Sequence, residues 1–307
     1  MIKFYLITGF LGAGKTTFLK KFIPSLVPMR MHLVINEFGK ESVDGSLLEV
    51  LDATMKQINN GSIFCTCKLD AFEEELLIAL DSEPDCIIVE ASGLADPTNI
   101  RAIINNPKYE AQLDYAGTIC LVDAVRFKKV YTTARCVKKQ IASSDVVLLN
   151  KTDKADKSQI EETESLVKTQ RPDIPIYHTA HGNFDFEWLK NIDFLEDKDT
   201  SYEAHIPDIS LQKILMNIKK ETTYEQLMYF LKEIAEETYR VKGFVNIEGE
   251  LLLVNNVGTM IEITPYKEGN ETNVGKLVIL SGQGLPIRKA IKKSTEHYSN
   301  LFTIVRN

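Results

Sequence analysis

Cysteines are few, and long apolar runs are missing from this sequence of 307 residues. The five cysteines are an odd number and widely spread, which excludes a disulfide scaffold and favours a reducing cytoplasm. No stretch reaches the roughly 18 consecutive apolar residues that a membrane-spanning helix needs, so we expect no membrane partner. The net charge of −7 argues against a nucleic-acid partner. The opening "MIKFYLITGF" lacks a basic leader and a small-residue cleavage site, which predicts a buried strand and not a signal peptide.

Hydrophobic patterning divides the chain into two predicted domains. The first, residues 1–192, alternates candidate helices with the short apolar runs "FYLIT", "HLVIN", "CIIVEAS", "TICLVD", "DVVLLN" and "IPIYH". Strands that are apolar on both faces predict an α/β domain with a mainly parallel sheet flanked by helices. Residues 193–208 are polar, acidic and without periodicity, which predicts a linker.

Residues 209–307 follow a different pattern. The strand-like segment "ISLQKILMNI" precedes a helix, for which Thr222 and Glu225 have the spacing of a capping box. Four strands with Gly and Asn turns come next, and a last helix opens at Pro286. We therefore predict a small C-terminal α+β domain.

A phosphate-binding loop follows the first predicted strand. "GFLGAGKTT" has a glycine, four residues, and then Gly-Lys-Thr, the spacing of a P-loop. This spacing lets backbone N–H groups surround a β-phosphate, brings Lys15 to the β and γ oxygens, and places the Thr16 hydroxyl on magnesium. The predicted nucleotide-binding residues of this loop are Gly9, Gly12, Ala13, Gly14, Lys15, Thr16 and Thr17.

A base-reading motif ends a later strand, where "LLNKTD" supplies Asn150, Lys151 and Asp153. A carboxylate at Asp153 accepts hydrogen bonds from N1–H and from the exocyclic amine of guanine. Adenine has a lone pair at N1 and would leave this carboxylate without a donor. These residues therefore predict GTP over ATP as the bound nucleotide.

A third motif, "VEASGLADP", places a carboxylate near the magnesium ion. Glu90 ends an apolar strand, and Gly93 follows at the Asp/Glu-x-x-Gly spacing. Such a carboxylate sits near magnesium or its water shell, and the Gly93 amide can approach a γ-phosphate because no side chain blocks it. We assign Lys15, Thr16, Glu90 and Gly93 to catalysis. Asp123, which ends "TICLVD", ranks second to Glu90 because no glycine follows it at this spacing.

The motifs together resemble the CobW-like GTPases, relatives of the nickel-insertion GTPases for urease and hydrogenase. "GFLGAGKTT", "NEFG", the "NG" before the cysteines, "GLADP", "VDA" and "LNKTD" stand in family order, and "YRVKGFVNIEGELLLVN" extends the likeness into the second domain. The resemblance implies a P-loop NTPase fold and a GTP-hydrolysing metal chaperone or cofactor-assembly factor. Its client would be a metalloenzyme or a corrinoid protein of cobalamin biosynthesis.

The loop "NGSIFCTCK" departs from the family pattern, in which Asn-Gly is followed by Cys-x-Cys-Cys and the thiolates bind zinc, cobalt or a similar ion. Ser62 and Phe64 replace the first two cysteines, Cys65 matches the third, and Cys67 is additional. Zinc usually takes four ligands, so this pair needs further donors. Glu37 in "NEFG" can supply one oxygen, and the candidate zinc or cobalt ligands are therefore Glu37, Cys65 and Cys67.

Three functional interpretations stay open at the level of sequence. The protein is a metal-handling GTPase with a rebuilt site, a GTP-driven conformational chaperone that no longer transfers metal, or a GTP-binding interaction module with negligible turnover. We expect slow intrinsic hydrolysis, because no glutamine or arginine finger is identifiable. We expect His178 and His181 to be solvated or nucleotide-adjacent, and the second domain to bind the client or a second copy of the chain.

Overall fold

We analysed a computed structural model of the chain, which divides into two compact units, Met1–Pro207 and Asp208–Asn307. The predicted linker, residues 193–208, lies outside the described residues. Within the described part of the chain, none of the helices combines the length and the apolarity needed to cross a bilayer. The structure describes residues 1–35, 53–57, 69–98, 103–104, 106–190, 211–266, 274–282, 284–296, 298 and 300–305.

The first unit is built around one parallel sheet. Its strands are β1 (Ile2–Gly9), β2 (Met31–Ile35), β3 (Ala53–Gln57), β4 (Cys86–Glu90), β5 (Leu113–Asp123), β6 (Val146–Asn150) and β7 (Ile176–His178). Its described helices are α1 (Lys15–Ser25), α2 (Leu69–Asp81), α3 (Pro107–Glu110), α4 (Phe127–Thr133), α5 (Arg135–Ala142), α6 (Lys157–Gln170) and α7 (Glu187–Lys190). The strand order is β3-β2-β4-β1-β5-β6-β7, and every pairing is parallel.

Both faces of this sheet are buried, which explains the continuous apolar runs of its strands. Alternate residues of β1 enter two different cores, with Tyr5 and Ile7 on the side of α1, and Phe4 and Leu6 on the side of α2. A parallel sheet with helices packed on both faces confirms the predicted P-loop NTPase fold. The sequence prediction missed β3, because its sequence "ATMKQ" is half polar and the strand lies at the edge of the sheet.

The second unit is an antiparallel sheet with two helices. Its elements are β8 (Leu211–Ile218), α8 (Tyr224–Ala235), β9 (Arg240–Ile247), β10 (Glu250–Val257), β11 (Met260–Pro265), β12 (Lys276–Gly282), α9 (Ile287–Thr295) and β13 (Phe302–Ile304). The strand order is β11-β10-β9-β12-β8-β13. Apolar residues of both helices share one core with the sheet, and the α+β prediction is confirmed. The short strand β13 was missed.

Helix α8 begins one residue later than the predicted capping box requires. The cap is Thr223, whose hydroxyl accepts from the Gln226 N–H at 3.3 Å, while the Gln226 side chain accepts from the Thr223 N–H at 2.9 Å. The predicted pair, Thr222 and Glu225, is therefore wrong. Two adjacent threonines each precede an acidic or amide residue by three positions, so the spacing alone could not choose between them.

Candidate nucleotide site

The loop between β1 and α1 has a backbone that depends on glycine. Gly9, Gly12 and Gly14 have φ values of 134°, 76° and 102°, in the region that other residues rarely adopt. A Cβ at Gly9 would collide with the Leu121 carbonyl oxygen, and a Cβ at Gly14 would collide with the Asn150 side-chain amide. The loop thus lies directly against β5 and β6, and a side chain at either glycine would displace it.

The P-loop lysine is buried beside its own loop. Lys15 is only 8% exposed, and its Nζ donates to the carbonyl oxygens of Gly9 at 2.9 Å and Phe10 at 3.4 Å. The N-cap residue of helix α1 is Gly14, which has no side chain and so leaves the N–H groups of the first helical turn without a side-chain cap. Thr16 is half-buried and Thr17 is exposed on that turn. A positive helix end and a lysine ammonium thus lie at the carboxyl end of β1.

Glu90 and Gly93 lie at the same edge of the sheet. Glu90 is the last residue of β4, is 3% exposed, and pairs in register with Ile7 of β1 and Ile35 of β2. A Cβ at Gly93 would stand 2.7 Å from the Leu11 backbone nitrogen, so this residue packs on the P-loop itself. The structure therefore brings the predicted catalytic carboxylate and the predicted γ-phosphate-sensing loop next to the P-loop.

Asp123, the second candidate for the magnesium carboxylate, is held by other groups. Its Oδ2 accepts from the Lys151 ammonium at 2.7 Å. Its Oδ1 accepts from the N–H groups of Val125 at 3.0 Å and Arg126 at 3.3 Å. These contacts give Asp123 a role in the turn after β5 and in orienting Lys151.

Asn150 connects the P-loop to the loop that follows β7. Its side chain is buried, with Nδ2 donating to the Ala13 carbonyl at 2.9 Å and Oδ1 accepting from the Gly182 N–H at 3.1 Å. The next residue, Lys151, has a φ of 64° and turns the chain sharply at the end of β6. The side-chain amide of Asn150, itself part of the base-reading motif, therefore holds the P-loop and the loop after β7 together.

The loop after β7 lies at the same edge of the sheet, where the sequence predicted solvated or nucleotide-adjacent histidines. His181 lies with its Nε2 3.5 Å from Oδ2 of Asp153, and both side chains reach solvent. Gly182 has a φ of 66°. His178 points elsewhere and contacts Glu164 at 2.6 Å. The pair of His181 and Gly182, shortly after the last parallel strand, was the sequence signal for this loop, because loops at the carboxyl edge of such a sheet converge on one site.

The candidate metal ligands Glu37, Cys65 and Cys67 lie outside the described residues. Among the residues that the structure does describe, no three His, Cys, Asp or Glu side chains are grouped so that they could hold a metal ion. The described cysteines are buried, and burial is the main cause that raises the thiol pKa of Cys86 and of Cys120 to about 12. A thiol must ionise to bind a metal, so these two are poor ligands.

Comparison with known proteins agrees with this arrangement. Residues 3–178 match the model of the CobW/HypB/UreG nucleotide-binding domain, and residues 212–297 match that of the cobalamin synthesis protein cobW C-terminal domain. The zinc chaperone YjiA of Escherichia coli (strain K12) is 30% identical over 265 residues, which cover 80% of this chain and 82% of that protein. The zinc-regulated GTPase metalloprotein activator 1 of Dictyostelium discoideum is 25% identical over 244 residues, covering 61% and 51%.

Among solved structures, a Zn(II)-bound YjiA GTPase from E. coli aligns over 98% of both chains with 23% identity and a TM-score of 0.49. The two family models together cover both structural units. The resemblance read from the six motifs is confirmed. The chain belongs to the CobW/HypB/UreG family and carries the cobW C-terminal domain behind its nucleotide-binding domain.

Proposed function

We propose that this protein is a GTP-hydrolysing chaperone that carries zinc to a client protein. The observation that carries the nucleotide part is the Asn150 bridge, whose bonds to Ala13 and Gly182 hold the P-loop and the base-reading segment in one site. Family membership supports GTP hydrolysis and metal delivery, because relatives are named as zinc chaperones and as a GTPase metalloprotein activator.

Guanine recognition is assigned to Asp153. Its carboxylate accepts from two donors on the guanine edge, whereas adenine presents a lone pair at N1. Asp153→Asn should therefore lower GTP turnover. It should raise turnover of xanthosine triphosphate, since the new amide can donate to the C2 carbonyl of xanthine and accept from its N1–H. Asp156→Asn is a control on the nearby α6 cap, and it should leave base preference unchanged, because the Asp156 side chain accepts from the Gln159 N–H of its own helix.

Hydrolysis would proceed by attack of water on the γ-phosphorus. The Lys15 ammonium and the N–H groups of the P-loop stabilise the negative charge that develops on the phosphate oxygens. Thr16 and Glu90 would hold a magnesium ion, because a hydroxyl and a buried carboxylate are oxygen donors of the kind that this hard cation prefers. Magnesium, when bound, neutralises phosphate charge. The N–H of Gly93, which packs on Leu11 of the P-loop, would approach the γ-phosphate.

Zinc, as cargo, is assigned to the cysteine loop. Two thiolates of Cys65 and Cys67 and a carboxylate oxygen of Glu37 are three donors of types that zinc accepts, and the client or a water molecule can complete four. Ser62 and Phe64 remove two donors that the family pattern supplies, so affinity should be modest. Restoring a thiol with Ser62→Cys should tighten zinc binding, a gain that a misfolded loop would not produce.

The experiment is a zinc titration of the full chain with GDP and with a non-hydrolysable GTP analogue. Unaltered protein should bind one zinc ion, with an affinity that depends on the nucleotide, and should release protons as the thiols ionise. The double variant Cys65→Ser, Cys67→Ser should lose this site. Thr66→Ala, between the two cysteines, is the matched control and should keep it.

Other outcomes select the alternatives. Unchanged zinc stoichiometry in the double variant would remove the cysteine loop as the ligand set. Full GTP turnover without zinc binding would favour a conformational chaperone that no longer transfers metal. Absence of turnover in the unaltered protein would leave only a GTP-binding interaction module.

A further inference from the structure

Helix α5 is hydrogen-bonded to the loop that follows Glu90. Gln140 on this helix is 1% exposed, and its Nε2 donates to the carbonyl oxygens of Gly93 at 3.2 Å and Ala95 at 3.1 Å. An amide nitrogen carries two hydrogens, so both are used on this one loop. The carbonyl groups of Gly93 and Ala95 are thereby held by a helix that belongs to none of the nucleotide-binding motifs.

The neighbouring residue of α5 holds the other end of the same loop. Lys139 Nζ lies 2.6 Å from Oδ2 of Asp96, and Oδ1 of Asp96 accepts from the N–H and the hydroxyl of Thr98 at 3.1 and 2.6 Å. Burial raises the pKa of Asp96, but hydrogen bonds from Lys139 and Thr98 outweigh burial and hold it below the ordinary value. Two consecutive residues of α5 thus hold loop 93–98 at two points.

The held loop also touches the P-loop. Gly93 approaches the Leu11 backbone so closely that a Cβ would stand 2.7 Å from its nitrogen. Gln140 and Val137 of α5 line a small apolar cavity together with Phe10 and Leu11 of the P-loop. A shift of α5 would therefore move Gly93 relative to the phosphate-binding segment, since packed interiors transmit displacements instead of absorbing them.

We propose that Gln140, assisted by Lys139, is a positioning residue. By holding the Gly93 carbonyl it restrains the backbone of Gly93, so that the Gly93 N–H meets the γ-phosphate and the protein distinguishes GTP from GDP. The inference rests on the proposed GTPase function. Gln140 contacts neither nucleotide nor metal in this assignment, and it acts through the backbone of Gly93. A purely structural role would instead satisfy two buried carbonyls without affecting the choice of nucleotide.

The test compares affinities for GDP and for a non-hydrolysable GTP analogue, alongside GTP turnover, in Gln140→Met. Methionine keeps the length of the side chain but has no N–H donor. The GTP analogue should bind about 10-fold more weakly and kcat should fall about 10- to 100-fold, while GDP affinity stays within about 2-fold. Gln112→Met makes the same change at an exposed position and should alter none of these values.

Lys139→Met is a second variant that the fold should tolerate, because the Lys139 side chain is 41% exposed. It should reduce selectivity for the GTP analogue in the same direction by a smaller factor. Equal fold-losses of affinity for GDP and for the GTP analogue in Gln140→Met, together with a lower melting temperature, would overturn the proposal and leave a structural role. Unchanged selectivity would also overturn it.

Failure of the proposed function would look different. In that case the unaltered protein would show no GTP turnover and no preference for the GTP analogue. Amide hydrogen exchange then tests the structural premise, that Gln140 holds residues 93–98, because it requires no activity. Faster exchange of residues 93–98 in Gln140→Met, with the P-loop amides unchanged, supports it, and unchanged exchange of residues 93–98 contradicts it.

Discussion

Replacing Asn150 with alanine tests whether this residue holds the site together before nucleotide arrives. The substitution removes the side-chain amide and leaves the Ala13 carbonyl and the Gly182 N–H without this partner, both in a buried environment. A buried polar group that loses its hydrogen bond costs about 1–3 kcal/mol. The two groups together predict a loss of about 2–4 kcal/mol in the free energy of unfolding of the first unit, after some rearrangement.

The assay is urea denaturation of the nucleotide-free protein, followed through a signal from the first unit. Asn150→Asp should lose most of the same stability, because its carboxylate still accepts from Gly182 but faces the Ala13 carbonyl without a donor. Asn300→Ala, at an exposed position of the second unit, is the control and should change stability by less than about 0.5 kcal/mol. If nucleotide-free Asn150→Ala has the same free energy of unfolding as the unaltered protein but binds GDP weakly, Asn150 contacts the ligand and does not bridge the loops.

Three further substitutions have expected outcomes. Lys15→Ala should abolish GTP turnover, measured as phosphate release, because it removes the ammonium at the P-loop. Gly93→Ala should lower kcat about 100-fold, since its Cβ would stand 2.7 Å from the Leu11 nitrogen and displace the loop; unchanged kcat would refute this packing. Asp96→Asn should destabilise by about 1 kcal/mol at pH 7 in denaturation experiments, because it loses the charged bond to Lys139. The Asp96 pKa is lowered from 3.8 in the folded state, so this difference should persist above pH 3.8 and shrink as the pH falls through the folded pKa. It should be smaller in a control in which Lys139 is already Met, where the hydrogen bonds from Thr98 remain.

The fold was largely predictable because its strands are buried on both faces. A strand such as "DVVLLN" is apolar without alternation, and this pattern is typical of a central parallel strand. Strand β3 lacked the signal, because its sequence "ATMKQ" is not a continuous apolar run and the strand lies at the edge of the sheet. The one-residue error at the start of α8 has a different origin, because two adjacent threonines satisfy the same local rule and only tertiary packing selects Thr223.

The site was predictable where a ligand imposes a fixed spacing. The P-loop glycines and Lys15 must surround a phosphate, and this requirement fixes their spacing within one short segment of the sequence. Gln140 carried no such signal, because its partners at Gly93 and Ala95 are backbone carbonyls about 45 residues away. Likewise, the ion pair between Asp123 and Lys151 depends on β5 and β6 being adjacent, which the sequence alone did not establish.

The most direct test of the account is the turnover of GTP and of ATP by the unaltered protein at equal concentrations. Asp153 at the end of β6 is assigned to the guanine edge, and a carboxylate facing the adenine N1 lone pair would be left without a donor. The account predicts kcat/KM at least about 100-fold higher for GTP, a lower bound, since a site built to hydrogen-bond one group rejects an analogue without it by up to about 10⁴- to 10⁵-fold. Equal kcat/KM for GTP and ATP would contradict it.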